Sequence, residues 1–326
     1  MSDSDEAGVA SFADAANEVV ELYSEGRYED ALSLSRLAAE RFPDRHGTTA
    51  FWIACLHSLT GDGDGAVGAL RDALAEGHWW AEEQLRNDPD LASLQGREDF
   101  ERVVVESNRR RAAANADRRP ELLAFEPEGP PRGLLVALHG AAWRPEEFAQ
   151  YWRPATNAGM VVGVPGSSQM TSSEGAGWSD EKLAAQEVAA HVERLQADHG
   201  IRPDRTILGG FSQGGRVALR TALEGEPFAA AGFILVGPGV RTEHVQEWSG
   251  LAATATARGL RGAFILGEHD IVRAPVEALH AELSARGLVC RLEIVPGLGH
   301  SFPIDFGDRL ASALSFVLPE DGPAGL

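Results

Sequence analysis

The chain has 326 residues, of which 44% are hydrophobic and 24% charged, with a formal net charge of −20. That composition is of a globular protein with material for about two domains and a sizeable core. A charge this negative repels nucleic-acid phosphate and anionic membrane surfaces, so neither is an expected partner.

The opening Met1-Ser2-Asp3-Ser4-Asp5-Glu6 is acidic and lacks the basic and apolar regions of a signal peptide. No apolar run approaches the ~20 residues of a membrane span. Cys55 and Cys290 stand far apart without metal-ligand spacing, so reduced thiols and a cytoplasmic location are expected. Lys182 is the single lysine, which reads as a compositional bias and not as function.

Up to about residue 115 the chain reads as helices. Gly26-Arg27-Tyr28-Glu29-Asp30-Ala31-Leu32 aligns with Gly61-Asp62-Gly63-Asp64-Gly65-Ala66-Val67 at an offset of 61 − 26 = 35, which Ala38 and Ala73 share. Gly26 and Gly61 suit turns between paired helices, and the alanines suit close approach. The period, near the ~34 of a helix-turn-helix repeat, resembles a tetratricopeptide repeat across about residues 12–77. That resemblance implies a groove able to hold a peptide or protein partner. Trp79 and Trp80, with the helix from Phe100 to Asn115, are expected to cap the helical stack. The run Arg109-Arg110-Arg111, with Arg118 and Arg119, reads as a solvated helix end and linker.

From about 117 the pattern changes to short apolar runs alternating with helical stretches. Strands are expected at Glu121–Phe125, Leu134–Leu138, Met160–Val164, Ile207–Leu208, Phe233–Val236, Ala263–Leu266 and Leu292–Val295. A helix from Glu181 to His199 is capped by Ser179 or Asp180. Strands alternating with helices predict an α/β domain over residues 117–326, with a mostly parallel sheet covered on both faces, preceded by an all-α helical domain over 1–116. The Gly/Ser-rich stretch 166–175 follows a strand end and reads as a mobile loop beside the site.

The chemistry centres on Gly210-Phe211-Ser212-Gln213-Gly214, between an apolar run and a helical segment. A serine between glycines at a strand-to-helix turn is held out as a nucleophile in a strained conformation. Asp270 is the only aspartate between Ser212 and His300, and both Asp270 and His300 follow strands. Ser, then acid, then His is the α/β-hydrolase order. Glu268 is a spare acid. His139-Gly140-Ala141 directly follows the strand Leu134–Leu138 and can offer an oxyanion site, with the backbone N–H groups of Ala141 and Gln213 as donors. His139, Trp143, Trp178 and Phe302 are candidate substrate-binding residues.

Carried by Leu138-His139-Gly140, the Ser212 motif, Asp270 and Gly299-His300, residues from about 117 to 326 resemble the phospholipase/carboxylesterase branch of the α/β-hydrolase superfamily, which includes acyl-protein thioesterases. The resemblance implies Ser212 as nucleophile, His300 as base, Asp270 as its partner, and Ala141 and Gln213 as oxyanion donors. Ala142 and Trp143 stand where the branch often carries glycine and aspartate, so the acyl pocket is expected to differ in shape. The expected activity is hydrolysis of a small-molecule acyl ester or thioester through an acyl-enzyme, requiring no metal or cofactor. Two readings stand beside it: a serine peptidase acting on short peptides, and a helical-repeat binding module with a non-catalytic hydrolase-like domain.

Overall fold

The structure, a computed structural model, describes residues 11–116 and 120–319. Two compact units emerge from the contacts: residues up to Arg118 together with Met170–Gly175, and Arg119–Gln169 together with Ala176 onwards. Arg118 and Arg119 of the basic run lie outside the described residues.

The first unit carries six α-helices among its described residues: α1 Phe12–Ser24, α2 Tyr28–Arg41, α3 His46–Leu59, α4 Gly63–Ala75, α5 Glu82–Asn87 and α6 Glu98–Asn115. Gly26 (φ 74°) and Gly61 (φ 84°) end the first and third helices in the left-handed region, which glycine reaches without Cβ strain. Ala31, Ala38, Ala66 and Ala73 are all buried where the helices meet. Trp80 is buried and donates its indole N–H to the Gly47 carbonyl at 3.0 Å. Arg109 and Arg110 pair with Glu106, and Arg111 with Glu83, so this run is spent within the unit.

The stretch 166–175 is tied down, contrary to its composition. Ser167 Oγ accepts from the Gln169 N–H at 3.0 Å. Residues 171–173 bond along 79–81, with Ala81 N–H to Thr171 O at 2.7 Å and Ser173 N–H to Trp79 O at 2.9 Å. Glu174 is buried and accepts from the N–H and hydroxyl of Thr48 at 2.9 and 2.8 Å. A carboxylate at a helix N-terminus meets unpaired N–H donors, which composition alone does not register.

The second unit is built on seven strands: β1 Leu122–Phe125, β2 Gly133–Leu138, β3 Met160–Pro165, β4 Thr206–Phe211, β5 Gly232–Val236, β6 Arg261–Gly267 and β7 Val289–Val295. Their order is β1-β3-β2-β4-β5-β6-β7, with β1 antiparallel and the rest parallel. Helices α7 Pro145–Trp152, α8 Glu181–His199, α9 Ser212–Glu224, α10 Thr242–Ser249, α11 Ala252–Ala257, α12 Arg273–Ala285 and α13 Phe306–Val317 connect and cover them. The unbroken apolarity of the strands has a direct cause. Leu134, Val136 and Leu138 of β2 enter one core cluster while Leu135 and Ala137 enter another. β5 and β6 split in the same way, with Phe233, Leu235, Phe264 and Leu266 on one face and Ile234, Val236, Ala263 and Ile265 on the other. Side chains alternate across a strand, so a sheet buried on both faces needs apolar residues at every position. Each fully buried Leu or Ile contributes about 1.5–3 kcal/mol.

The register levels the strand ends that matter. Leu138 stands opposite Gly210, Phe211 opposite Val236, and Gly267 opposite Val295. The loops that leave β2, β4, β5, β6 and β7 therefore gather at one edge, where open α/β sheets place their ligands.

Candidate active site

Ser212 is the first residue of α9, directly after β4. Its φ of 50° puts a non-glycine residue in the left-handed region, a strain of about 1–3 kcal/mol that the surrounding packing must hold. The glycines around it are required by space. A Cβ on Gly210 would lie 2.7 Å from Gly215 N, and one on Gly214 would lie 2.3 Å from the carbonyl oxygens of both Leu138 and His139. Gly214→Ala therefore pushes backbone against backbone at the β2 end. We expect a loss of about 1–3 kcal/mol or more in stability, read as a lower Tm, together with reduced turnover.

His300 comes from the loop after β7 and Asp270 from the turn after β6. The Ser212 hydroxyl is 2.9 Å from His300 Nε2, and His300 Nδ1 is 2.8 Å from Asp270 Oδ1. The Asp270 side chain is 1% exposed and that of His300 19%. Asp270 Oδ1 also accepts from the Val272 N–H at 2.9 Å, which fixes the carboxylate. Glu268 points elsewhere and accepts from the Gly297 N–H at 2.9 Å. The Phe211 ring lies 4.8 Å from the His300 ring and shields it from one side.

The loop after β2 runs alongside the serine, since a Cβ on Gly140 would lie 3.6 Å from Ser212 Cβ. Ala142 adopts a φ of 62°, its N–H bonded to Ala176 O at 2.9 Å, which turns the chain sharply just after Ala141. Gln213 stands in the first turn of α9, where N–H groups have no carbonyl one turn back and the helix dipole is positive. Its side-chain oxygen accepts from the Trp178 N–H at 2.9 Å.

The four candidate substrate-binding residues divide. His139 and Trp178 have no exposed surface, and the Trp178 indole N–H donates to His139 O at 2.8 Å. They therefore brace the wall from behind and present no face to a ligand. Trp143 is half-buried, in an aromatic group with Phe148, Tyr151, Phe211 and Phe302. Phe302 is 8% exposed and stacks on Tyr151 at 4.1 Å.

Sequence reasoning missed Gly237 and Gly239. Gly237 has a φ of 45°, and a Cβ there would lie 2.7 Å from Asp270 Oδ2 and 3.0 Å from His300 Nδ1. The Gly239 N–H donates to Ser212 O at 2.8 Å. The signal was Gly237-Pro238-Gly239 immediately after β5, at the edge that carries the other loops.

Residues 166–311 match the model of the phospholipase/carboxylesterase family, and residues 11–115 match that of the A/B hydrolase-like N-terminal domain. The second unit has the mostly parallel sheet of the α/β-hydrolase fold, and most of it resembles the phospholipase/carboxylesterase family. The chain is similar in fold to an uncharacterized protein from Bacillus cereus ATCC 10987, at 23% identity and a TM-score of 0.54, over 95% of this chain and 100% of that one. It is also similar to esterase PE8, at 20% identity and a TM-score of 0.50, over 62% of this chain and 100% of that one. A thermostable carboxyl esterase from Bacillus coagulans aligns at 13% identity and a TM-score of 0.50, over 63% of this chain and 96% of that one. No curated protein matches the sequence. Among the described residues, no helix is long and apolar enough to cross a membrane.

Proposed function

We propose that the catalytic domain, residues 117–326, is a serine esterase that cleaves carboxylic esters or thioesters through an acyl-enzyme. The observation that carries this reading is the hydrogen-bonded chain from Ser212 Oγ through both nitrogens of His300 to Asp270. His300 takes the hydroxyl proton as Ser212 attacks the acyl carbonyl. Asp270 holds the imidazole with Nδ1–H towards itself and stabilises the imidazolium that forms. The N–H groups of Ala141 and Gln213 receive the developing oxyanion, and each such donor is worth about 10²–10³ in rate. His300 returns the proton to the departing alcohol or thiol. It then activates water to release the acid and restore the serine.

Trp143 and Phe302 offer the acyl group an aromatic surface, which supports a small-molecule acyl ester as substrate. A fluorophosphonate probe should label wild-type protein at Ser212, and a panel of p-nitrophenyl esters of rising chain length should show turnover with a preference for one acyl length. An aminoacyl anilide in the same panel separates esterase from peptidase. A folded protein that takes up no label and hydrolyses no ester would overturn the reading.

A further inference from the structure

Among the described residues, His46, Glu76 and His78 bring three metal-binding donor atoms within 4.8 Å of one another, all inside the helical unit. The topology explains why. Helices α3 and α4 form an antiparallel hairpin joined by the short turn Thr60–Asp62, so the first residue of α3 and the cap of α4 meet at one end. Glu76 is that cap. Gly77, at a φ of 109°, then reverses the chain, with Gly77 N–H bonded to Leu74 O at 2.9 Å and His78 N–H to Ala73 O at 3.0 Å. This Schellman closure aims His78 back at the start of α3.

The geometry points to a binding site for a divalent transition-metal ion of the zinc class, ligated by His46, Glu76 and His78 with water in the open position. Two imidazoles and one carboxylate form a donor set that suits such an ion. Tetrahedral zinc, with bonds of about 2.0–2.2 Å, needs donors roughly 3.3 Å apart, so side-chain adjustments on the order of 1 Å close the site. His46 Nδ1 already lies 2.7 Å from Glu76 Oε2.

The surroundings favour an ion over a simple pair of His–Glu contacts. His78 Nδ1 lies 3.2 Å from the buried Glu174 carboxylate and 3.2 Å from Ser173 Oγ. With Nδ1 facing Glu174, Nε2 is the ring nitrogen that His78 would offer a metal. A carboxylate behind a histidine in this way orients the ring. Glu174 is itself fixed by Thr48, and a Cβ on Gly47 would lie 2.8 Å from Glu174 Oε1 and 2.9 Å from His78 Nδ1. The glycine therefore leaves room for the carboxylate–imidazole contact. Glu76 and Glu174 supply the negative charge that a divalent ion neutralises, and the C-terminal end of α4 adds its dipole. The Glu76 side chain is 55% exposed, so the site opens to solvent. The other cluster of potential ligands, Cys55 with Asp88 and Asp90, is a weaker host, because burial holds the Cys55 thiol protonated.

The test uses full-length, chelator-treated protein titrated with Zn²⁺ by calorimetry and with Co²⁺ by visible absorption. The expected result is one ion per chain at micromolar or tighter Kd, with Tm raised by about 5 °C at saturating zinc. His46→Gln and Glu76→Gln should abolish binding, and Glu174→Gln should weaken it about 10–100-fold. Bound Co²⁺ should show the enhanced visible bands of four- or five-coordination without a thiolate charge-transfer band, a readout that needs no variant to fold. Absence of binding at zinc concentrations some tens of times a micromolar Kd, stoichiometry unchanged in both ligand variants, or a thiolate band from Cys55 would each overturn the site.

Discussion

Ser212→Ala is expected to lower ester turnover on the order of 10⁴–10⁶-fold while moving Tm by no more than about 2 °C. The two effects separate because the hydroxyl does its work on the substrate and little on the fold. The Ser212 hydroxyl lies 2.9 Å from His300 Nε2, a contact at the surface of the fold's catalytic edge and not within either core cluster. The strained φ of 50° persists, since alanine has the same Cβ. What survives is the oxyanion site and substrate binding, which alone sustain a residual acceleration over water. Steady-state kinetics with a p-nitrophenyl ester, beside a thermal melt, measure both quantities. Unchanged turnover in a folded variant would remove Ser212 from the chemistry and end the acyl-enzyme mechanism.

Asp270→Asn should cost on the order of 10⁴-fold in kcat with the fold retained. Asparagine matches the carboxylate in shape and can take up the same position beside His300 Nδ1 and the Val272 N–H, both of which Asp270 Oδ1 meets, at 2.8 and 2.9 Å. It brings an amide donor, however, and no charge. With the amide oxygen in the Oδ1 position the imidazolium loses its counter-charge; with the amide nitrogen there, a donor faces Nδ1 and selects the tautomer with the proton on Nε2, which then cannot accept from Ser212, and the Val272 N–H loses its acceptor. The loss should fall mainly on kcat, because the Asp270 side chain is 1% exposed and bonds to His300. A variant with kcat within tenfold of wild type would assign the supporting acid elsewhere, with Glu268 the first residue to replace.

Much of the fold was legible in the residues because periodicity is local. Unbroken apolar runs such as Leu134–Leu138 and Phe233–Val236 marked strands covered on both faces, and the matching glycines at 26 and 61 marked helix turns. The strand at 206–211 is longer than its apolar core because Gly209 and Gly210 continue it. Close packing against Trp152 and Gly215 selects glycine there, a pressure invisible to hydropathy. The stretch 166–175 was misread as mobile for a related reason. Its order comes from Glu174 meeting helix N–H groups more than a hundred residues away, and composition holds no record of distant partners.

The sequence by itself determined the chemical inventory: one serine between glycines, one aspartate in the interval, one histidine after the last strand, and strands that had to be buried on both sides. Only the tertiary structure decided which groups meet. It brought Asp270 and not Glu268 to His300, set Gly237 beside both, withdrew His139 and Trp178 into the wall, and drew His46, Glu76 and His78 together. The physical reason is that residue type and spacing fix what a segment can form locally. Hydrogen bonds of about 3 Å between groups 30 to 90 positions apart depend on sheet register and loop path, which the whole fold sets.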